Sequence, residues 1–272
     1  MHLIDFDAYF ADYLNHWVKN NERRFKHPDD MEDEMPGVYQ QFLAAPAEWL
    51  EGIAPEHYFD RYEDSAELCQ LLCAYASSST PIPDLLLNRL AELEGETALL
   101  TLVQNEAAPV IARMHGIDLL RQLDSDTPMV TYIRWQVERE QEEDILNNAL
   151  ESLRTMGSRI QKPAKIAFLA AEQEGKEALL DVLCDFPMDE EVFAFALTCF
   201  QTQPQRQALF AGYLAKLEDD RALESLLDVA EDNKTPYVDF IEIRSAIERL
   251  GGEAPIRDFS KDPSYQAVQQ IQ

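Results

Sequence analysis

Apolar residues recur at three- and four-residue spacing along most of the chain, which is the spacing of one face of an α-helix. The two-residue alternation that is typical of β-strands is nearly absent. In the first helical segment, aromatic residues form one stripe, and such a stripe is usually a packing surface, with an aromatic cradle for a ligand as the alternative. The stripe consists of Phe6, Tyr9, Phe10, Tyr13 and Trp17. The pattern predicts an all-α fold.

Prolines and glycines lie mostly between these apolar segments and indicate where the chain divides. The clearest linker is the stretch SSSTPIP at residues 77–83, which predicts a boundary there. Residues 1–76 then form an N-terminal helical module and residues 84–252 form a series of helices. We expect residues 253–272 to dock on the last helices as a capping segment, with Phe259 as its anchor.

Start and stop signals divide the region after the linker into helices joined by short turns. Proline at the first helical position predicts helix starts at Pro128 and Pro163, and glycine just after an apolar stripe predicts helix ends. The helices predicted in this way are 84–93, 96–104, 108–123, 128–140, 142–156, 163–174, 176–185, 190–201, 205–218, 221–231 and 237–250.

Four of these helices contain similar segments, namely IDLLRQL, ALESLRTMG, AFALTCF and IRSAIERLGG. Their superposition brings Leu123, Leu153, Phe200 and Leu250 into register, at intervals of 30, 47 and 50 residues. On this basis residues 108–252 resemble HEAT or armadillo repeats, whose units have about 40–47 residues, and fit a strict 34-residue array poorly. The resemblance implies an irregular HEAT-like solenoid of helical hairpins, and it carries no activity with it.

Charge narrows the classes of partner. The chain has 51 acidic and 23 basic side chains and a formal net charge of −28. Such a surface repels nucleic acids, whose binding rests on lysine and arginine contacts to phosphates, and it repels anionic membranes as well. We therefore expect no nucleic acid and no membrane among the partners. The excess acidity serves either solubility alone or recognition of a basic partner.

Apolar runs and cysteine usage suggest a location. The longest nearly unbroken apolar run, residues 192–200, is far shorter than the ~20 residues of a membrane helix. The start MHLIDFDAYF lacks the cationic and then apolar order of a signal peptide. Four cysteines are too sparse for a disulfide framework in a chain of this length. We expect a cytoplasmic protein with reduced, mostly buried thiols.

No mechanistic motif is present in the sequence: GxGxxG, GxxxxGK[ST], GxSxG and HExxH are all missing. We therefore predict no catalytic residue, no cofactor and no metal site. Three small clusters are weak candidates for chemistry, because each lacks ligands or arises easily by chance among 51 carboxylates. They are the acidic run Asp29–Glu34, the pair Cys69 and Cys73, and the group His57, Asp60 and Arg61.

The helix predicted over 128–140 carries large side chains on two faces. At 100° per residue, Val130, Ile133 and Val137 share one face, and the opposite face has an aromatic and arginine composition. Either this helix is sandwiched between two layers, or it exposes a binding patch of the kind enriched at interaction hot spots. The candidate binding residues are Tyr132, Trp135 and Arg139, with Arg113 and Arg134 adding local positive charge.

These observations favour a non-enzymatic scaffold or adaptor that binds a protein or peptide partner, most simply a basic one, on an extended helical surface. A second hypothesis is an enzyme that processes DNA bases, because HEAT-like DNA glycosylases are similar in helical layering. Their concave face is basic, however, and this chain is acidic. A third hypothesis is an inhibitor or immunity-type protein that masks the basic groove of its target.

Overall fold

The computed structural model describes residues 3–21, 24–25, 29–187 and 189–269. About 72% of the chain is helical, and the described residues form no β-strand. This confirms the all-α prediction, and it follows from the helical spacing of the apolar residues. Within the described residues, no helix is both long and apolar enough to cross a membrane.

The helices divide between two compact units, the first with residues 1–128 and 142–152 and the second with residues 129–141 and 153–272. The first unit contains α1 (Phe6–Asn21), α2 (Asp29–Glu32), α3 (Met35–Ala44), α4 (Ser65–Ala76), α5 (Asp84–Glu92), α6 (Glu96–Gln104) and α7 (Val110–Gln122). The second contains α8 (Met129–Glu138), α10 (Ser158–Ala170), α11 (Gln173–Leu183), α12 (Glu190–Thr202), α13 (Gln207–Lys216), α14 (Leu223–Glu231), α15 (Tyr237–Arg249) and α16 (Pro263–Gln269). Most of α9 (Glu143–Thr155) is counted with the first unit.

The predicted linker at 77–83 lies inside the first unit and does not separate two compact parts. Helix α4 before it packs on α6 and α7 after it, and α5 packs on the 3₁₀ segment Pro55–Arg61. The guanidinium group of Arg89 donates two hydrogen bonds of 3.2 Å to the carbonyl oxygen of Tyr62. The serine- and proline-rich stretch is therefore a turn between packed helices, which its composition alone does not distinguish from a domain linker.

An aromatic cluster organises the amino-terminal end of the first unit. Phe6 on α1 is buried, and its ring lies 5.7 Å from that of Trp49 and 5.8 Å from that of Phe59. The hydroxyl group of Tyr75 accepts a hydrogen bond from the amide of Ile4 and donates one to the carbonyl of the same residue, each at 3.0 Å. The aromatic stripe on α1 is therefore a packing surface over part of its length. Tyr75 on α4 fixes the residue Ile4, which lies just before α1.

From α4 to α15 the helices follow one another in six sequential pairs, and in five of these pairs the two helices pack on each other as a hairpin. The sixth pair, α8 and α9, belongs mostly to different units. The first helices of successive pairs begin at Ser65, Glu96, Met129, Ser158, Glu190 and Leu223. Successive starts are 29 to 33 residues apart. This spacing corrects the predicted intervals of 30, 47 and 50. Three of the four superposed residues lie in or next to the second helix of a pair, namely Leu123, Leu153 and Leu250. Phe200, however, lies on α12, which is the first helix of its pair. The predicted register therefore aligned a first helix with second helices.

Five of the six second helices end in the same way. A residue with positive φ follows two positions after the last helical residue, and an apolar residue precedes it. A left-handed residue there satisfies the free carbonyl groups at a helix end. The five residues are Glu94, Asp124, Gly157, Glu218 and Gly251. Because three of them are not glycine, sequence inspection for glycine alone finds only part of the recurrence.

One predicted helix start is wrong. Helix α10 begins at Ser158, directly after Gly157, and Pro163 lies inside the helix instead of at its first position. Proline lacks the amide hydrogen that would bond to the carbonyl four residues earlier, so an interior proline costs stability. The packing of α10 against α8 and α11 in the second unit compensates for this cost.

Charged side chains join successive hairpins of the second unit. The partners lie 24 to 31 residues apart, which is close to the length of one hairpin. The pairs are Arg154 with Asp181, Lys165 with Asp189 and Glu191, Arg206 with Glu177, Lys216 with Asp185, and Arg221 with Glu190. Three of their distances are 3.0 Å for Lys165 to Glu191 and 2.7 Å for both Lys216 to Asp185 and Arg221 to Glu190.

The carboxyl-terminal segment packs on α15. The ring of Phe259 is buried and lies 4.8 Å from that of Phe240 and 5.2 Å from that of Tyr237. The guanidinium group of Arg257 donates hydrogen bonds of 3.1 Å to two carbonyl oxygens, those of Ala230 and Thr235. The prediction that Phe259 anchors this segment is confirmed. Residues 270–272, the end of the predicted capping segment, lie outside the described residues.

Candidate functional site

The aromatic pair that was predicted to bind a partner is buried. Tyr132 is 0% and Trp135 is 3% exposed, and their ring centroids lie 5.6 Å apart. Ile133 is also buried, whereas Val130 on the predicted apolar face is 76% exposed. Side chains this deeply buried pack inside the protein and do not offer a surface to a partner. The burial agrees with the sandwiched helix, which was the first of the two alternatives.

The three arginines of the predicted patch lie in different surroundings. Arg113 belongs to the first unit and is buried, and its Nε donates to the carbonyl oxygen of Val103 at 2.9 Å. Burial lowers the pKa of Arg113, and nearby Glu106 and Glu142 oppose that shift. In the second unit, Arg134 and Arg139 are exposed. The five residues therefore do not form one continuous exposed patch, and a binding role for Arg134 and Arg139 stays a prediction.

The weak candidates for chemistry do not form an enclosed site. His57 Nδ1 and Asp60 Oδ2 lie 2.8 Å apart, but the imidazole is 64% exposed, so water is not excluded from the pair. The described residues contain no group of three or more His, Cys, Asp or Glu side chains that could hold a metal ion. In the acidic run 29–34, the side chains of Asp29 and Asp30 lie outside the described part of the chain.

A groove between α4 and α6 is the strongest candidate site in the first unit. It consists of two adjoining cavities of about 540 and 490 Å³, which share Asp64, Thr97 and Ala98 in their walls. Each volume is in the range of about 300–1,000 Å³ that is typical of ligand sites. Gly95, before α6, and Ser65, at the start of α4, line the groove and lie against each other. A Cβ atom on Gly95 would lie 2.1 Å from Ser65 Oγ.

One end of the groove is acidic. Asp64 caps α4, and its Oδ1 accepts a hydrogen bond of 2.8 Å from the amide of Ala66. Glu94 is exposed and has the left-handed φ of 48° that follows a second helix. The carboxylate of Glu96 accepts hydrogen bonds from Ser125 Oγ and from Thr127 at 3.0 and 2.7 Å. Three carboxylates therefore line this cavity, and none of its lining residues is basic.

The other end of the groove is mainly apolar, with small side chains in its walls. Leu102 and Cys69 form part of its floor, and Cys73 is half-buried there. Burial raises the pKa of the Cys69 thiol to about 12, with further contributions from Cys73 and Asp64, and burial also raises the pKa of Cys73. Both thiols are therefore neutral near pH 7. The two thiols line the apolar end of the groove, and they lack the thiolate character of a nucleophile or a metal ligand.

A second cleft, of about 620 Å³, lies between α15 and the carboxyl-terminal segment. Two arginines line it, but both already have partners inside the second unit. Arg244 Nε lies 2.7 Å from Glu248 Oε1, and Arg257 donates to backbone carbonyls and stacks on Phe259 at 4.6 Å. Ile256 is fully exposed at its rim. Arg257 therefore holds the docked segment in place, and Arg244 is paired within α15, so the cleft is a weaker candidate than the α4–α6 groove.

The acidic side chains are distributed unevenly. The first unit has 28 acidic and 8 basic residues, a net charge of −20, and the second has 23 acidic and 15 basic residues, a net charge of −8. The α4–α6 groove therefore opens on the unit that carries most of the charge. Long-range attraction of a cationic ligand is strongest where negative charge is concentrated in a cleft.

No protein-family model matches the chain, and no curated protein or solved structure matches it. Its function must therefore be inferred from the chemistry of its own residues.

Proposed function

We propose that the protein is a non-enzymatic binding protein that holds a basic peptide segment of a protein partner in the α4–α6 groove. The observation that carries this proposal is the combination of an acidic end with an adjoining apolar end in one groove. Lysine or arginine side chains would lie against Asp64, Glu94 and Glu96. A neighbouring apolar side chain would lie over Cys69 and Leu102.

The recurrence of helical hairpins supports the broader part of the proposal, a HEAT-like solenoid that acts as a scaffold. Repeats of this kind stack on their neighbours and offer extended surfaces to peptides. The helical pairs begin every 29 to 33 residues, which is shorter than the HEAT unit of about 40–47 residues. The proposal is therefore a solenoid of stacked helical pairs and does not depend on the HEAT class in particular.

The proposal includes a cytoplasmic location. All four cysteines are free, and three of them are buried. Free thiols persist where glutathione and thioredoxin keep them reduced. An inhibitor that masks the basic groove of its target would use the same acidic side chains. The two functions differ in what is bound, because an adaptor binds a short peptide and an inhibitor covers a longer stretch of its target.

A peptide array tests the proposed function. The probes are basic decapeptides with one leucine or phenylalanine at each position in turn, and acidic decapeptides of matched apolar content. Binding is measured by fluorescence polarisation at 50 and 200 mM NaCl. We expect basic peptides with an apolar residue to bind and to weaken with salt, since screening reduces attraction between exposed charges.

Charge reversal at the groove gives the control. Glu94→Lys should weaken the best basic peptide by about tenfold, because it introduces repulsion within the cleft. Glu67→Lys makes the same charge change on an exposed residue of α4 that does not line the groove, and it should weaken binding less than about threefold. Equal effects of the two variants, or no preference for basic peptides, would contradict the proposed site.

A further inference from the structure

A small cavity, separate from the α4–α6 groove, lies in the first unit between α1, α3 and the start of α5. Its volume is about 100 Å³, far below the roughly 300–1,000 Å³ of sites that enclose whole ligands. It shares no lining residue with the α4–α6 groove. A space of this size suits the head group of one side chain.

Aromatic rings form one side of this cavity. Phe6, Tyr39 and Phe42 line it, and the ring centroids of Tyr39 and Phe42 lie 6.3 Å apart with an angle of 25° between their planes. Phe10 supports both rings from behind, at 4.9 Å from Tyr39 and 5.3 Å from Phe42. Phe6 and Phe42 are buried, and Tyr39 is 38% exposed, so the aromatic side of the cavity is held in place by packing and stays open to solvent at Tyr39.

Two carboxylates line the same cavity. Asp7 lies in the first turn of α1 and Asp84 is the first residue of α5. Neither side chain makes a hydrogen bond or an ion pair with any residue in the described part of the chain. Burial raises the pKa of the Tyr39 phenol, and the charges of Asp84 and Asp7 raise it further. Both carboxylates therefore act electrostatically on the aromatic wall, and no basic residue lines the cavity to offset them.

We propose that this cavity binds the ammonium group of a lysine side chain from a protein partner. The faces of aromatic rings attract cations within about 6 Å of the ring centroid. Carboxylates accept short, charge-assisted hydrogen bonds from ammonium N–H groups, and a quaternary ammonium group has no such hydrogens. The combination of rings and two carboxylates without a partner among the described residues therefore selects a primary alkylammonium group over a neutral group of the same shape.

This site is independent of the proposed peptide groove. The cavity takes one head group and the groove takes an extended segment, so either can fail without the other. A small alkylammonium ion can be attracted to both sites, because Asp64, Glu94 and Glu96 line the acidic end of the groove. The residues that respond, those around the cavity or those around the groove, therefore distinguish the two sites.

The experiment uses n-butylammonium as the probe and n-butanol as its neutral analogue, at constant ionic strength set with NaCl. Amide chemical shifts of the full chain are followed by NMR. We expect saturable shifts at residues around Phe6, Tyr39 and Leu85 with butylammonium, weaker ones with tetramethylammonium, and none that saturate with butanol. Equal responses to butylammonium and butanol would overturn the proposal.

Two variants locate the effect. Asp7→Asn with Asp84→Asn should weaken butylammonium binding at least about fivefold, and Tyr39→Leu should weaken it by removing one ring without a change of charge. The matched control is Asp12→Asn with Glu67→Gln, which removes the same charge from exposed positions outside the cavity. If the control weakens binding as much as the cavity variant, the ion is attracted only to the general negative charge and the proposal is wrong.

Discussion

The two compact units differ in the ion pairs described above between successive hairpins, which belong to the second unit. Glycines bring helices close together in both units, and in the second a Cβ atom on Gly252 would lie 2.8 Å from Leu223. In the first unit, α4 and α6 meet where Gly95 lies against Ser65, and a Cβ atom on Gly116 of α7 would lie 2.8 Å from Val103 of α6. In the second unit, ion pairs between residues about one hairpin apart provide many of the links. The net charges of −20 and −8 follow the same division.

This difference shows what the carboxylates do in each unit. Several carboxylates of the second unit, such as Glu177 and Asp189, are paired with arginine or lysine within the fold. Those around the groove and the cavity of the first unit have no basic side chain beside them in the lining. Uncompensated like charges destabilise a compact state, so a bound cation at the proposed sites would relieve part of this repulsion.

The largest expected effect concerns the close contact in the first unit. Gly95→Ala adds a Cβ atom that would lie 2.1 Å from Ser65 Oγ and 2.3 Å from its Cβ, so α4 or α6 has to shift. Overpacking of this kind costs about 1–3 kcal/mol. We expect that loss in urea unfolding followed by the fluorescence of Trp49, and we expect Ser65→Gly in the same chain to restore most of it.

A control with the same substitution belongs to the second unit. Gly212 on α13 has no atom within 4 Å of the position where a Cβ would be added. Gly212→Ala should therefore stabilise the protein by roughly 0.5–1 kcal/mol, because alanine is the better helix former. If Gly95→Ala is as favourable as Gly212→Ala, the close contact between α4 and α6 does not limit the packing of the first unit.

The next effect concerns an ion pair of the second unit. Glu177 has a side chain that is 12% exposed and that accepts hydrogen bonds from Gln203 and Arg206. Arg206→Met leaves this carboxylate with less compensation, and we expect a loss of roughly 1–2 kcal/mol in urea unfolding, as for a hydrogen bond to a charged group. Arg244→Met removes an exposed pair within α15 and should cost only a few tenths of a kcal/mol. Equal losses would show that the inter-hairpin pairs are no stronger than surface pairs.

The helices could largely be predicted from the sequence, whereas their grouping into hairpins could not. The helix predicted over 96–104 matches α6, because its apolar spacing is regular and it lies between clear breakers. The recurrence was misread because the left-handed turns at Glu94, Asp124 and Glu218 have no glycine. Pro163 was misplaced because tertiary packing tolerates a proline within α10.

The candidate site could not be predicted from the sequence. Tyr132 and Trp135 have the composition of a binding hot spot, but periodicity does not reveal which of two apolar faces is covered. The groove takes its walls from helices whose contact depends on Gly95. In a chain with 51 carboxylates, no composition signal separates Glu94 and Glu96 from the rest.

The smallest effect is a pH dependence that differs between the units. Hydrogen bonds from Arg221 lower the pKa values of Glu190 and Asp219. For Glu177 and Asp189, burial acts to raise the pKa, but hydrogen bonds outweigh it, so that both values are lowered. The stability gained from a lowered carboxyl pKa is complete above the ordinary value near 4 and is lost as the pH falls through the lowered value.

We therefore expect hydrogen exchange, corrected for intrinsic rates, to accelerate about two- to fivefold in α11–α13 when the pH falls from 5 to 3. Helices α4–α6 should change less, because protonation there relieves repulsion among carboxylates. The measurement needs micromolar protein, since the sequence pI is about 4.4 and association is favoured near it. Uniform acceleration in both units would show that the ion pairs between hairpins of the second unit do not set its pH dependence.

The left-handed ending that five of the six second helices share makes the segments between such endings candidates for duplication or removal as a whole. A chain that is cut after Glu94 and rejoined after Asp124 meets its new neighbour in nearly the same backbone conformation, with φ values of 48° and 52° at the two junctions. Gene rearrangements that add or remove about 30 residues between two such junctions leave the left-handed turns at the junctions intact. Length variation in such a chain is therefore expected in whole hairpins, and the same junctions are the natural places to shorten or extend it by design.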